Sequence, residues 1–157
     1  MSLDFTIRRK EPVTTLHTGI WVRQNGQNVE LSLEEAQERW PDQKIELYEE
    51  KSDVYWHGNI THNLGKMAEH VDTVHTDYTL YDLLWRPGEY NLSEVTRPYR
   101  YLISNALMYM LLHKKELEAY NPTNKWGDYN TLLSFVQNLA TALADDEVLG
   151  MTIETSR

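Results

Sequence analysis

Apolar and polar positions alternate along the first third of the chain and recur every three to four residues along the rest. Phe5 and Ile7, with Arg9 beyond them, fall on one face of an alternating run, which predicts a strand. Gly19 to Arg23 and Val29 to Leu31 flank Gln24-Asn25-Gly26-Gln27, and Asn-Gly between two such runs predicts a β-hairpin. Ser32-Leu33-Glu34-Glu35 is a capping box, in which the serine and the glutamate three positions on satisfy free N–H groups of a helix that must stop near Trp40-Pro41. Lys44 to Glu49 and Val54 to His57 alternate again, predicting one or two further strands.

Past residue 60 the period becomes helical. Leu64, Met67, Ala68 and Val71 fall at i, i+3, i+4 and i+7, with Thr61 or Asn59 placed to cap the first turn. Tyr81, Leu84 and Trp85 predict a short helix ended by Arg86-Pro87-Gly88. Thr96-Arg97-Pro98 opens the longest helix, since proline suits a first turn. Its Tyr101–Leu112 stretch is apolar nearly all round, which predicts the central, most buried helix. After the loop Asn121 to Gly127, Leu132, Phe135, Val136, Leu139 and Leu143 form the apolar stripe of a helix starting near Asp128, and Met151 to Glu154 reads as a last strand. The expected fold is therefore α+β: an N-terminal hairpin and short sheet with a short helix, then a mostly helical C-terminal two-thirds. With no Pro/Gly/Ser-rich linker near residue 55, the expectation is a single domain over 1–157, in which strand-rich residues 1–58 and helical residues 59–157 share one core.

Composition narrows the function classes. The chain has 157 residues, 41% hydrophobic and 25% charged, ordinary for a folded domain. Cysteine is absent, so a disulfide framework or a thiolate metal site is impossible. The start, MSLDFTIRRKEPV, has no apolar core of signal-peptide length, and the longest apolar run, Leu107 to Leu112, is far below the ~20 residues that span a bilayer. A soluble cytoplasmic protein with no membrane partner is expected. The net charge of −9 opposes general affinity for phosphate backbones, so nucleic acid is disfavoured as a partner.

Candidate chemistry concentrates in Tyr55 to Val71, YWHGNITHNLGKMAEHV. The Gly58-Asn59-Ile60-Thr61-His62-Asn63 turn reads as a polar-ligand site: unpaired N–H groups at a helix start attract anions, and Lys66 adds charge one turn on from His62. The same Asn59, Thr61 and Asn63 equally serve as caps. His57, His62, His70 and His75 fall close together in sequence, which raises a divalent-metal alternative centred on His57 and His62, or on His70 with Asp72 and His75. No His-Glu-x-x-His is present, and eight residues of straight helix would hold His62 and His70 ~12 Å apart, too far to share an ion. No Gly-x-Ser-x-Gly elbow supports nucleophilic catalysis. Trp126, between Lys125 and Gly127 and just before the capping Asp128, either pins the last helix, covers the Asn/His turn or projects toward a partner.

Asn59 to Ala68 (NITHNLGKMA), Leu84 to Pro87 (LWRP) and Asn121 to Tyr129 (NPTNKWGDY) resemble a pattern of uncharacterised small phage and prophage proteins, over roughly residues 55–145. The resemblance implies a bacterial or phage-infected cytoplasm, and a unit joining the Asn59–Asn63 turn to the Trp126–Tyr129 loop. The expected function is that of an accessory or interaction protein without cofactor, binding a protein or small polar ligand through Asn59, Thr61, His62, Asn63, Lys66, Trp126 and Asp128. The alternative is a small metal-assisted hydrolase built on His57 and His62, with carboxylates holding an ion that activates water. The pattern leaves oligomeric state open.

Overall fold

The N-terminal alternation becomes strand β1 (Ser2–His17), whose Leu3, Phe5 and Ile7 are fully buried. The structure, a computed structural model, describes residues 1–74 and 77–157; His75 lies outside the described residues. The fold is α+β, strand-rich first and helical after, and it divides into two units: residues 11–53, and residues 1–10 with 54–157.

In the smaller unit, β2 (Trp21–Gln24) and β3 (Gln27–Glu30) pair antiparallel as the expected hairpin. Asn25 and Gly26 both take positive φ, 50° and 78°, the geometry for which a two-residue turn selects Asn-Gly. Helix α1 (Leu33–Arg39) follows, with the Ser32/Glu35 capping box formed and Trp40 at its C-cap. The unit buries little apolar side chain beyond Leu31 and Ala36, so polar contacts matter more in it. Thr18 Oγ1 donates to the Leu31 carbonyl at 2.7 Å. His17 lies between two carboxylates, Glu30 at 2.6 Å and Glu50 at 3.0 Å. Lys44 to Leu47, expected to form a strand, do not; the next strand begins at Tyr48.

That strand, β4 (Tyr48–Thr61), enters the larger unit and leads into a 3₁₀ turn (His62–Leu64) and a single turn of helix, α2 (Gly65–Ala68). Leu64, Met67, Ala68 and Val71 are all fully buried, as their spacing predicts, but they come from a broken segment rather than one helix. Next come α3 (Leu80–Trp85), α4 (Arg97–Leu112), α5 (Lys114–Glu118), α6 (Tyr129–Leu143) and β5 (Thr152–Ser156). The sheet order is β4-β1-β5, with β5 antiparallel to β1 from Asp4 opposite Ser156 to Arg8 opposite Thr152. Contacts from Met1 to His62, Asp4 to Asn59, Thr6 to His57 and Arg9 to Val54 show β4 running antiparallel on the other side.

One face of this sheet meets the helices. Phe5, Trp56 and Phe135 form an edge-to-face cluster with centroids 5.5–6.4 Å apart, and Leu132, Val136 and Leu139 of α6 are fully buried behind it. Burying each such aliphatic or aromatic side chain contributes roughly 1.5–3 kcal/mol. Helix α4 overturns its expectation. Tyr99, Leu102, Ile103, Ala106 and Met110 are buried, yet Tyr101, Met108, Leu111 and Leu112 are exposed. Neighbours α3 and α6 cover one side of α4 and leave an apolar stripe on the other. Among the described residues, no helix is long and apolar enough to cross a membrane.

Candidate functional site

The candidate site is built where β4 ends and where the chain enters α6, two segments some sixty positions apart in sequence. At the first, the Thr61 hydroxyl accepts from the Asn63 N–H at 3.4 Å, closing the 3₁₀ turn. His62 turns toward α3: the Trp85 indole N–H donates to its Nδ1 at 2.9 Å. Since indole only donates, that bond requires a bare Nδ1 and leaves the imidazole proton on Nε2. His62 thereby ties the turn to α3.

At the second segment each polar side chain has a local task. Asn121 Oδ1 accepts from the Tyr129 N–H at 2.8 Å, and Asn124 Oδ1 from the Trp126 N–H at 3.0 Å. Asp128 caps α6 through Thr131, whose N–H reaches its Oδ1 at 3.0 Å while the Thr131 hydroxyl accepts from the Asp128 N–H. Tyr129 is buried, and its hydroxyl donates to the Met110 carbonyl at 2.6 Å, anchoring the loop to α4. Burial pushes the Tyr129 phenol pKa up.

The two segments touch at Gly127. With φ at +85°, a Cβ there would lie 2.9 Å from Thr61 Cγ2 and 3.0 Å from Leu64 Cδ1. Only a residue without a side chain lets the loop lie this close to the turn. Lys125 also takes a positive φ, 61°, so the loop presents Trp126 between two left-handed residues. Trp126 is 69% exposed and does not pin α6; Tyr129 performs that task.

Two hollows flank the junction. One, of about 370 Å³, is lined by Asn121, Pro122, Lys125, Gly127, Asp128 and Thr131. The other, about 510 Å³ and wide open, runs between β4 and α6 past Trp56, His57, Asn59, Phe135 and Asn138. Thr131 belongs to the wall of both, so Asn59 and Asp128, far apart in sequence, border neighbouring hollows. Asn59 is not the cap; its amide donates to Asp4 at 2.6 Å and Ser2 at 3.0 Å on β1. Lys66 is exposed on α2.

Two expectations about chemistry change. A helix of four residues preceded by a 3₁₀ turn has no developed dipole, so the anion-attracting helix start expected near Asn59 to Asn63 is not formed. His57 and His62 are not brought together: at ~3.3 Å per residue of strand they stand roughly 15 Å apart, beyond sharing an ion. Among the described residues, no group of three or more His, Asp or Glu is placed to hold a metal. His57 instead packs across the outer sheet face, its Nδ1 3.0 Å from the Thr6 hydroxyl and its Nε2 3.7 Å from Asp4. The sequence offered a signal for this that alternation alone did not exploit: Asp4 and Thr6 share the polar face of β1. Asn121 was legible only as a member of a polar loop, and Thr131, in the first turn of α6, carried no separate signal. Compared with protein-family models, with curated proteins and with solved structures, the chain matches none.

Proposed function

We propose that this chain is an interaction protein of the phage accessory kind, with no chemistry of its own, that engages a protein partner through the patch built from the Thr61–Asn63 turn and the Trp126 loop. The observation that carries the reading is the exposed Trp126 on a loop held by Gly127 against the turn and by Tyr129 against α4. A large amphipathic ring on a backbone positioned in advance has only two side-chain torsions left to order on binding, and such residues are frequent energetic centres of interfaces. Lys125 and Asp128 beside it supply a polar rim of both signs. Asn59, bordering the neighbouring hollow, extends the patch toward β4.

The test is a pull-down from bacterial cytoplasm, uninfected and phage-infected, with immobilised wild type and Trp126→Ala. The substitution removes an exposed ring, so the melting temperature should hold while capture of a specific partner weakens by about 30-fold, the equivalent of a 2 kcal/mol centre. Identical capture by the two proteins would sink the reading.

A further inference from the structure

A second surface, independent of the Trp126 patch, lies on α4. Tyr101, Met108, Leu111 and Leu112 are 70%, 62%, 56% and 74% exposed. They recur at the spacing that keeps side chains on one side of a helix, with Arg97 at the start of the same stripe and Ser104 and Asn105 within it. Side chains of this size at these exposures leave on the order of 500 Å² of largely apolar surface, within the range of about 300–600 Å² that the largest patch on a monomer reaches and that is often functional.

We propose that this stripe is the interface of a homodimer in which two copies of α4 pack antiparallel about a twofold axis near Ala106 and Leu107. Three observations choose a second copy as the occupant: a knob and a hole on this face, and opposite charges beyond its two ends, Arg97 at the start of α4 and Glu116 on α5. The axis sets Tyr101 of each copy opposite Leu112 of the other and Asn105 opposite Met108. A hollow of about 240 Å³ lined by Val74, Asn105, Met108, Tyr109, Leu112 and His113 lies at the end where that tyrosine arrives. The helix therefore carries both the knob and the hole, as a self-complementary interface requires.

Charge selects the direction. Arg97 opens the stripe beside a hollow it lines with Arg100 and Asp146 of its own chain, and there Arg100 holds the Asp146 carboxylate at 2.8 Å. Glu116, just past the other end on α5, is held by His113, whose Nδ1 is 2.7 Å from its carboxylate. Antiparallel packing sets Arg97 of one copy against Glu116 of the other, whereas parallel packing would stack like charges and align the helix dipoles. A dimer of ordinary size buries about 800 Å² per partner, and the rim of Arg97, Ser104, Asn105, Lys115 and Glu116 supplies what the apolar stripe lacks.

The test is sedimentation equilibrium of the untagged full chain. Wild type should show twice the 18.5 kDa chain mass. Leu112→Glu should give the chain mass with an unchanged circular dichroism spectrum. Arg97→Glu should weaken the dimer at least tenfold, and Arg97→Glu with Glu116→Arg should restore it. A wild-type monomer would overturn the proposal and leave the face to a different protein. A dimer that survives Leu112→Glu would place the interface elsewhere, and failure of the charge swap to rescue would overturn the antiparallel register.

Discussion

Gly127 offers a sharp test of whether the turn and the loop form one unit. Its alanine variant suffers two separable penalties. An alanine held at φ +85° costs about 1–2 kcal/mol from backbone sterics alone. The added methyl would also stand 2.9 Å from Thr61 Cγ2 and 3.0 Å from Leu64 Cδ1. Neither neighbour yields easily: Thr61 is β-branched and stiff at χ1, and Leu64 is fully buried. Overpacking of this kind costs a further 1–3 kcal/mol or so.

Gly150 separates the two penalties. Its φ is +87°, almost the same, but an added Cβ would find nothing nearer than 3.7 Å, an ordinary contact. Both glycines belong to the larger unit, so both variants report on the same unfolding transition. Urea denaturation of Gly150→Ala should show the conformational penalty alone. Gly127→Ala should be less stable than Gly150→Ala by about 1–3 kcal/mol, a difference of roughly 5 °C in Tm for a chain of this length. If the two variants agree within about 0.5 kcal/mol, the loop does not bear on the turn and the joint patch loses its basis.

Other expectations follow from single groups. Tyr99→Phe removes the buried hydroxyl that donates to the Leu83 carbonyl at 2.9 Å, and should cost about 1–3 kcal/mol in urea because that carbonyl is left unpaired. Burial pushes the Tyr99 phenol far above the usual tyrosine range, so its share of stability is complete below about pH 10 and is lost as pH rises further. Absorbance titration should show at least one tyrosine, Tyr99, ionising only on unfolding; normal titration of all ten would contradict its burial. The His17 pKa is raised, first by its hydrogen bond to Glu30 and also by the charges of Glu30 and Glu50. The order it gives the smaller unit is present in full below about pH 6.5 and lost as pH rises through the higher folded value. An NMR titration should place its midpoint above that of a free histidine and Glu30→Gln should lower it; an unshifted midpoint would refute the pairing. Leu139→Ala, at a fully buried site in α6, should cost about 2–5 kcal/mol by the same urea assay, and a smaller loss would mean that α6 does not line the core.

Local signals carried much of the fold because each has a mechanism confined to a few residues. Asn25-Gly26 selects the hairpin by positive φ, Ser32 with Glu35 and Asp128 with Thr131 close capping boxes, and Leu132 to Leu143 keep one stripe inward. What the pattern could not carry was decided by distant neighbours. Tyr101 to Leu112 is apolar around much of its circumference, but which side is buried depends on where α3 and α6 lie, and they cover only one. The spacing of Leu64 to Val71 suits a helix and all four are buried; the backbone nevertheless breaks into a 3₁₀ turn and a single α turn. Within the candidate site, the caps at Thr61 and Asp128 were legible, whereas the Gly127 contact joins residues more than sixty positions apart and leaves no periodic trace.

The use made of the histidines bears on the choice between chemistry and association. In a histidine one ring nitrogen is commonly held by a neighbour, which orients the ring and fixes the role of the other nitrogen. Here His62 Nδ1 receives the Trp85 indole, His57 lies against Thr6 and Asp4, and His17 bridges two carboxylates. His113 meets Glu116, and His70 stacks on Tyr120 with ring centroids 4.0 Å apart. His62 and His113 each use Nδ1 to brace a turn or a helix end, and His70 uses its ring face. Large apolar side chains left exposed include Trp126 on its loop, the stripe from Tyr101 to Leu112 and, in the smaller unit, Trp21 and Leu16. Side chains of that sort gain free energy when another surface removes them from water, and a proton-transfer step gains nothing from them. The Trp126→Ala capture experiment measures that gain directly for the proposed patch.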